Sequence, residues 1–193
     1  MNLHERLLST IAVAWLLWAI YWSVAGVRAR EKATRWQESA QSRLSHMVPL
    51  VVAGTLLATP HFWPAVFDLR FLPRGIAIDA IGLALLILGI GLSIWARRHL
   101  GANWSSAVAV KDRHRLVRSG PYRVVRHPIY SGLLLAVAGT ALVVGEWRGL
   151  AALGLAVVAF VHKSRIEERR MHDTFPEYDA YRRTTPSLLP YIY

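Results

Sequence analysis

Cysteine is missing from all 193 residues. Disulfides, thiolate nucleophiles and cysteine–zinc centres are therefore excluded. Acids are scarce, with 12 Asp and Glu against 23 Lys and Arg, which leaves a net charge of +11. The one adjacent carboxylate pair is Glu167-Glu168. Neighbours on a helix diverge by about 100°, so one can face inward while the other faces water. That divergence argues against a paired-carboxylate metal site, and no metal is expected. His-Glu-x-x-His and Gly-x-Ser-x-Gly are both absent, as is a phosphate-gripping glycine loop. Gly89-x-Gly91 is no dinucleotide fingerprint, because no strand precedes it and the third glycine is missing.

What the chain has in abundance is apolar sequence: 54% hydrophobic residues and a mean hydropathy of +0.30. Apolar blocks separated by basic loops mark a polytopic membrane protein. A basic, water-soluble helical protein that binds nucleic acid is the competing reading. The apolar runs are too long for it. The expected fold class is all-α, with about five transmembrane helices at 7–27, 47–67, 76–96, 128–144 and 149–162. The first is longer and richer in Trp than a signal-peptide core, so it is read as retained. The last two are short for a span and suit a tilted hairpin. Gly82, Gly89 and Gly91 point to close helix packing. His61, in Pro60-His61-Phe62-Trp63-Pro64, reads as interfacial, and Asp79 sits near headgroup depth. Domain division is expected at 1–99, three N-terminal membrane helices, and 100–193, a catalytic region.

Five spans put 19 of the 23 Lys and Arg on one side. The positive-inside rule makes that side cytoplasmic, with the N-terminus outside and the C-terminus inside. The polar cluster around Arg126 and His127 and the cluster KSRIEE at 163–168 then share the cytoplasmic face. The abundance of Ala and Arg leans toward a bacterial inner membrane.

Residues 116–132 read LVRSGPYRVVRHPIYSG. Gly120-Pro121 marks a turn. His127 precedes a proline, which biases it toward extended backbone, and Pro128 suits the first turn of a helix. An imidazole and a guanidinium are thus held at a helix mouth, where they and the KSRIEE cluster can form one cofactor site. A zwitterionic, nucleotide-like cofactor such as S-adenosylmethionine fits the residue types. Glu167 can accept from amino or hydroxyl donors, His114, Tyr122, His127 and the Val117 backbone offer hydrogen bonds, and Tyr122 or Tyr130 can pack against a ring or a sulfonium. On spacing alone, a headgroup belt for Arg126, His127 and Tyr130 and a solvated face for Glu167 explain the same residues. Tyr178 and Tyr181 suit an interfacial face.

GPYRVVRHPIY at 120–130, the Glu167-Glu168 pair and the tail FPEYDAYRRTTPSLLP at 175–190 resemble the isoprenylcysteine carboxyl methyltransferase family and its phospholipid methyltransferase relatives. The resemblance covers about half the chain. It implies a small helical membrane enzyme using S-adenosylmethionine and releasing S-adenosylhomocysteine. The pocket would lie on the cytoplasmic side, built by the loop before the fourth helix and the C-terminal segment. His114, Leu116, Val117 and Tyr122 match the family's loop contacts. His127, Pro128, Ile129 and Tyr130 match its His-Pro-x-Tyr contacts, and Glu167 matches its acidic cofactor contact. Lys163 stands where the eukaryotic enzymes have an arginine that meets the substrate carboxylate, with Arg165 nearby. Lysine and arginine are not equivalent at such a site, so the departure bears on the acceptor and not on the methyl-transfer class.

The expected activity is methyl transfer to an amphiphilic acceptor entering from the bilayer: carboxyl O-methylation of an isoprenylcysteine-like or other lipophilic carboxylate, steered by Lys163 or Arg165. The alternative is N-methylation of a phospholipid or small amine, with Glu168 or a water as base. Readings from other classes are a non-catalytic membrane sensor and a sterol-type reductase using NADPH. Membrane lipids and a lipophilic or prenylated substrate are the expected partners, and nucleic acid is not.

Overall fold

The computed structural model describes residues 3–30, 39–101 and 116–190. Six α-helices follow in order: α1 Leu3–Arg30, α2 Ala40–Ala58, α3 Ile76–Leu100, α4 Pro128–Val144, α5 Trp147–Thr174 and α6 Tyr178–Thr184. Single 3-10 turns at Ala65–Asp68 and Gly120–Arg123 precede α3 and α4. The chain is an all-helical, multi-pass membrane protein. By length and apolarity α1, α3 and α5 can each cross a bilayer, and α4 is a shorter apolar helix. Helices are the form such segments must take, since lipid offers no partner for a free backbone N–H or C=O. Their outer faces carry Leu16, Leu17, Ile20, Ile81, Ile87 and Leu88, all exposed, as a lipid-facing surface requires.

The largest differences from the sequence reading are at two boundaries. The second span does not run to Phe67: α2 ends at Ala58, and Pro60 to Pro64 form a turn outside it. Nor does the fifth end at His162. Helix α5 is continuous for 28 residues, so the polar segment 163–168 is the same helix carried beyond its apolar part.

The densest packing is between α3 and α4, and glycine makes it possible. Gly82 faces Gly139, and Gly89 faces Gly132. A Cβ on any of the four would come closer than 3.0 Å to the opposite backbone. Small residues let helix backbones meet in lipid, where dispersion rather than the hydrophobic effect drives association. Gly91, by contrast, faces open space and has no part in the contact. Helix α1 lies across this pair. Trp15 Nε1 donates to Thr140 Oγ1 and Trp18 Nε1 to Ser93 Oγ, each at 3.1 Å. Buried indole N–H groups need such partners. Helix α2 packs on α5, and α4 and α5 form a hairpin around Gly145, whose left-handed φ of 63° closes α4. The packed core thus joins α3 to α4 and α5.

Each end of the bundle holds a polar cluster. At the hairpin end, Trp147 N donates to Leu69 O and Phe71 N to Gly145 O, both at 3.0 Å. Arg148 is buried. Its Nη1 donates to the carbonyls of Leu56 and Leu57 at the end of α2 (3.0 and 2.9 Å), and its Nε meets Glu146 Oε2 at 2.6 Å. The other cluster contains the residues singled out above.

Candidate functional site

The mouth of α4 is shaped by two prolines. Gly120 has φ 59°, Pro121 opens the 3-10 turn, and Pro128 opens α4 with His127 as its N-cap. Between them the backbone pairs with the C-terminal tail. Arg126 N donates to Pro186 O at 2.9 Å and His127 N to Ser187 O at 3.0 Å. Ser131 Oγ donates to Leu188 O. The tail is therefore a strap across the start of α4. Tyr181 fastens its root, with its hydroxyl donating to Tyr122 O at 2.5 Å. Tyr178 and Tyr181 are both buried. They do not form the interfacial face expected from sequence, because they supply the core between α6 and the loop.

The two polar clusters meet, and they divide Glu167 from Glu168. Glu168 Oε1 accepts from Arg126 Nη2 at 2.8 Å, Arg126 Nε at 3.1 Å and Ser187 Oγ at 3.1 Å, and lies 3.1 Å from His127 Nε2. Arg126 Nη1 also donates to the carbonyls of Arg182 and Thr185. This carboxylate binds helix, loop and strap together. Glu167 turns the other way. Its Oε1 accepts from the Tyr130 hydroxyl at 2.5 Å and lies 3.6 Å from Lys163 Nζ, and its Oε2 lies 3.6 Å from His127 Nδ1. The Tyr130 ring stacks on His127 (centroids 5.5 Å apart) and on Phe160 (4.9 Å). Lys163 continues to His46 of α2, with Nζ 3.3 Å from Nε2.

Burial pulls the His127 imidazole down, but hydrogen bonds and charge from Glu167 and Glu168 more than offset this and hold its pKa above the ordinary histidine value. Burial pushes the Tyr122 hydroxyl up, in keeping with a structural phenol. Its hydroxyl reaches toward Ala96 O.

Of the residues singled out by sequence, Arg126, His127, Tyr130, Lys163, Glu167 and Glu168 form one cluster. Tyr122, Pro128 and Ile129 are buried beneath it, and Leu116 and Val117 are half-buried at the start of the loop. Arg165 is exposed, two residues and about 200° of helix from Lys163, and stays outside the cluster. His114 lies outside the described residues. Three further members carry little sequence signal. Ser187 and Phe160 look like ordinary strap and helix residues. His46 is 117 residues from its partner. Among the described residues, no group of three or more His, Asp or Glu could hold a metal ion. A carboxylate flanked by a phenol and an ammonium, beside stacked aromatic rings, can accept from amino and hydroxyl groups and pack against a flat or cationic one.

A family model described as phospholipid methyltransferase matches residues 78–178, just over half of the chain. The chain belongs to the phospholipid methyltransferase family. The match runs from the first turn of α3 into α6. Among relatives of the family, protein-S-isoprenylcysteine O-methyltransferase B of Arabidopsis thaliana is 30% identical over 121 residues, covering 60% of this chain and 60% of that protein. Cobalt-zinc-cadmium resistance protein CzcN of Cupriavidus metallidurans is also 30% identical, over 60% of this chain and 52% of its own length. The chain thus spans between about half and three fifths of these relatives. In fold it is similar to the eukaryotic intramembrane Ras methyltransferase, with a TM-score of 0.54 at 24% identity, over 77% of this chain and 53% of that one.

Proposed function

We propose that this family member is a membrane methyltransferase that uses S-adenosylmethionine and acts on an amphiphilic acceptor held partly in lipid. The observation that carries the reading is the Glu167 cluster. An acidic acceptor pointing away from the strap, next to a Tyr130 ring stacked on both sides, suits a ligand with an amino group, a diol and a flat ring. Glu167 would accept from the amino or hydroxyl donors. Tyr130, His127 and Phe160 would form the wall, and Leu116, Val117 and His114 the loop side. When bound, the cofactor supplies an activated sulfonium methyl, so the protein's work is to position reactants and exclude water.

Lys163 is the residue proposed to face the acceptor. Its ammonium, held between Glu167 and His46, can steer a carboxylate. A carboxylate nucleophile needs no base, which favours O-methylation of a lipophilic acid such as an isoprenylcysteine-like group. N-methylation of an amine would need a proton acceptor. Glu168, already bound by Arg126, His127 and Ser187, serves better as a positioning residue than as that base. The exposed Arg165 is left as a surface charge near the entrance. The cluster end is proposed to face the cytoplasm of a bacterial inner membrane, because most of the basic residues among those described lie at that end.

Binding of S-adenosylhomocysteine to detergent-purified protein tests the site. Glu167→Ala and His127→Ala should abolish binding while Glu167→Ala melts near the wild-type temperature; undiminished binding by Glu167→Ala would remove the assignment. Competition with NADPH separates a reductase, and methanol released by base from the methylated product separates an ester from a methylamine.

A further inference from the structure

Outside the strap, on the face away from Glu167, lies an open cleft of about 580 Å³. Its lining includes Arg123, Arg126, Arg182, Arg183, Val124 and Pro190. No acidic residue contributes to the lining. Arg126 is committed to Glu168, and Arg182 Nε lies 3.9 Å from the same carboxylate. Arg123 and Arg183 are exposed, and no carboxylate among the described residues lies within ion-pairing distance of either. Uncompensated guanidinium groups converging on one concavity bind phosphate well, since each offers a fork of donors as well as charge.

Two apolar side chains accompany them. Val124, in the lining, is 55% exposed, and Leu189, beside Pro190, is 51% exposed. Leu189 follows Leu188, whose carbonyl accepts from Ser131 in the first turn of α4. A free phosphate would leave this apolar rim in water, whereas a lipid would cover it.

The geometry points to a binding site for the headgroup of an anionic phospholipid, with the phosphate between Arg123 and Arg183 and an acyl chain along Val124 and Leu189. The site shares Arg126 with the cluster but takes none of its carboxylates, and it does not depend on the methyl-transfer reading. It is coupled to that cluster through the strap, because Arg182 and Thr185, whose carbonyls hold Arg126, both line the cleft. A bound headgroup would therefore steady the strap over α4.

The experiment uses the full chain in nanodiscs of phosphatidylcholine with or without phosphatidylglycerol, read by native mass spectrometry and by thermal melting. The wild type should keep one phosphatidylglycerol in preference to phosphatidylcholine and melt higher when it is present. Arg123→Gln with Arg183→Gln should weaken retention about tenfold or more, as the loss of two surface charge contacts implies, and should melt like the wild type in phosphatidylcholine alone. Arg43→Gln with Arg98→Gln removes the same charge from exposed positions elsewhere at this end and should retain the lipid. Equal loss in both double variants would reduce the effect to net charge and overturn the site. So would full retention by the first variant. Should that variant fail to fold, the lipid preference of the wild type still decides, and no preference overturns the proposal. Inorganic phosphate that displaces the phosphatidylglycerol and reproduces its melting shift would make the ligand a free anion and overturn the lipid.

Discussion

His127 is the residue whose chemistry is set most completely by its neighbours. It caps α4, stacks on Tyr130 and lies between two carboxylates. Its folded pKa stands above that of an exposed histidine, so the imidazolium stabilises the fold. That contribution is complete below about pH 6.5, where the unfolded histidine is also protonated, and disappears as pH rises through the higher folded value. Wild type and His127→Gln should therefore differ most in melting temperature at mildly acid pH and converge at alkaline pH. A gap constant across a series of buffers would show that the imidazolium contributes nothing. Arg148 marks the opposite end. It is 4% exposed and satisfies two carbonyls of α2 together with Glu146. Arg148→Ala leaves those carbonyls without a partner and Glu146 with Arg70 alone, at a cost of about 3–5 kcal/mol. Replacing the exposed Arg165 should shift the denaturation midpoint little.

At the scale of the elements, the α3–α4 contact holds the site's frame. Gly89 and Gly132 leave no room for a Cβ, so Gly132→Leu must push the helices apart. Overpacking of this kind costs about 1–3 kcal/mol or more. Gly91→Leu, two residues from Gly89 but facing open space, should melt within a degree or two of the wild type, and detergent melting curves of the two variants make the comparison. Helix α5 has a different task. Because it does not stop at the membrane boundary, it carries Phe160, Lys163, Glu167 and Glu168 on one rigid rod. Three of these sit on one face at the i, i+3 or i, i+4 spacing of neighbours. Glu168 is turned by one residue toward the strap, and that turn separates the proposed ligand contact from the structural one.

Over the whole molecule the charge is polarised. The end that holds the α4 mouth, the strap and the basic cleft carries most of the Lys and Arg among the described residues. The hairpin end holds Arg70 and Arg148, both paired with Glu146. The absence of cysteine gives a clean background for a topology test. Phe62→Cys, at an exposed position near the hairpin end, should react with a membrane-impermeant thiol reagent added outside intact cells. Ser119→Cys, at the other end, should react only in inverted vesicles. Labelling of both from one side would overturn the proposed orientation.

The all-helical class, the positions of α1, α3 and α4, the proline-bounded mouth of α4 and six members of the cluster around it are legible along the chain. These follow from local rules: apolar length, proline and glycine geometry, and the need for a backbone in lipid to satisfy its own hydrogen bonds. The tertiary structure alone decided which carboxylate faces which partners, that Tyr178 and Tyr181 are core, that Gly91 is idle, and that His46 and Ser187 join the cluster. Those outcomes depend on contacts between groups from 19 to 117 residues apart, and on the rotation of each helix about its own axis. Packing against neighbours fixes that rotation, and no local pattern along this chain specifies it.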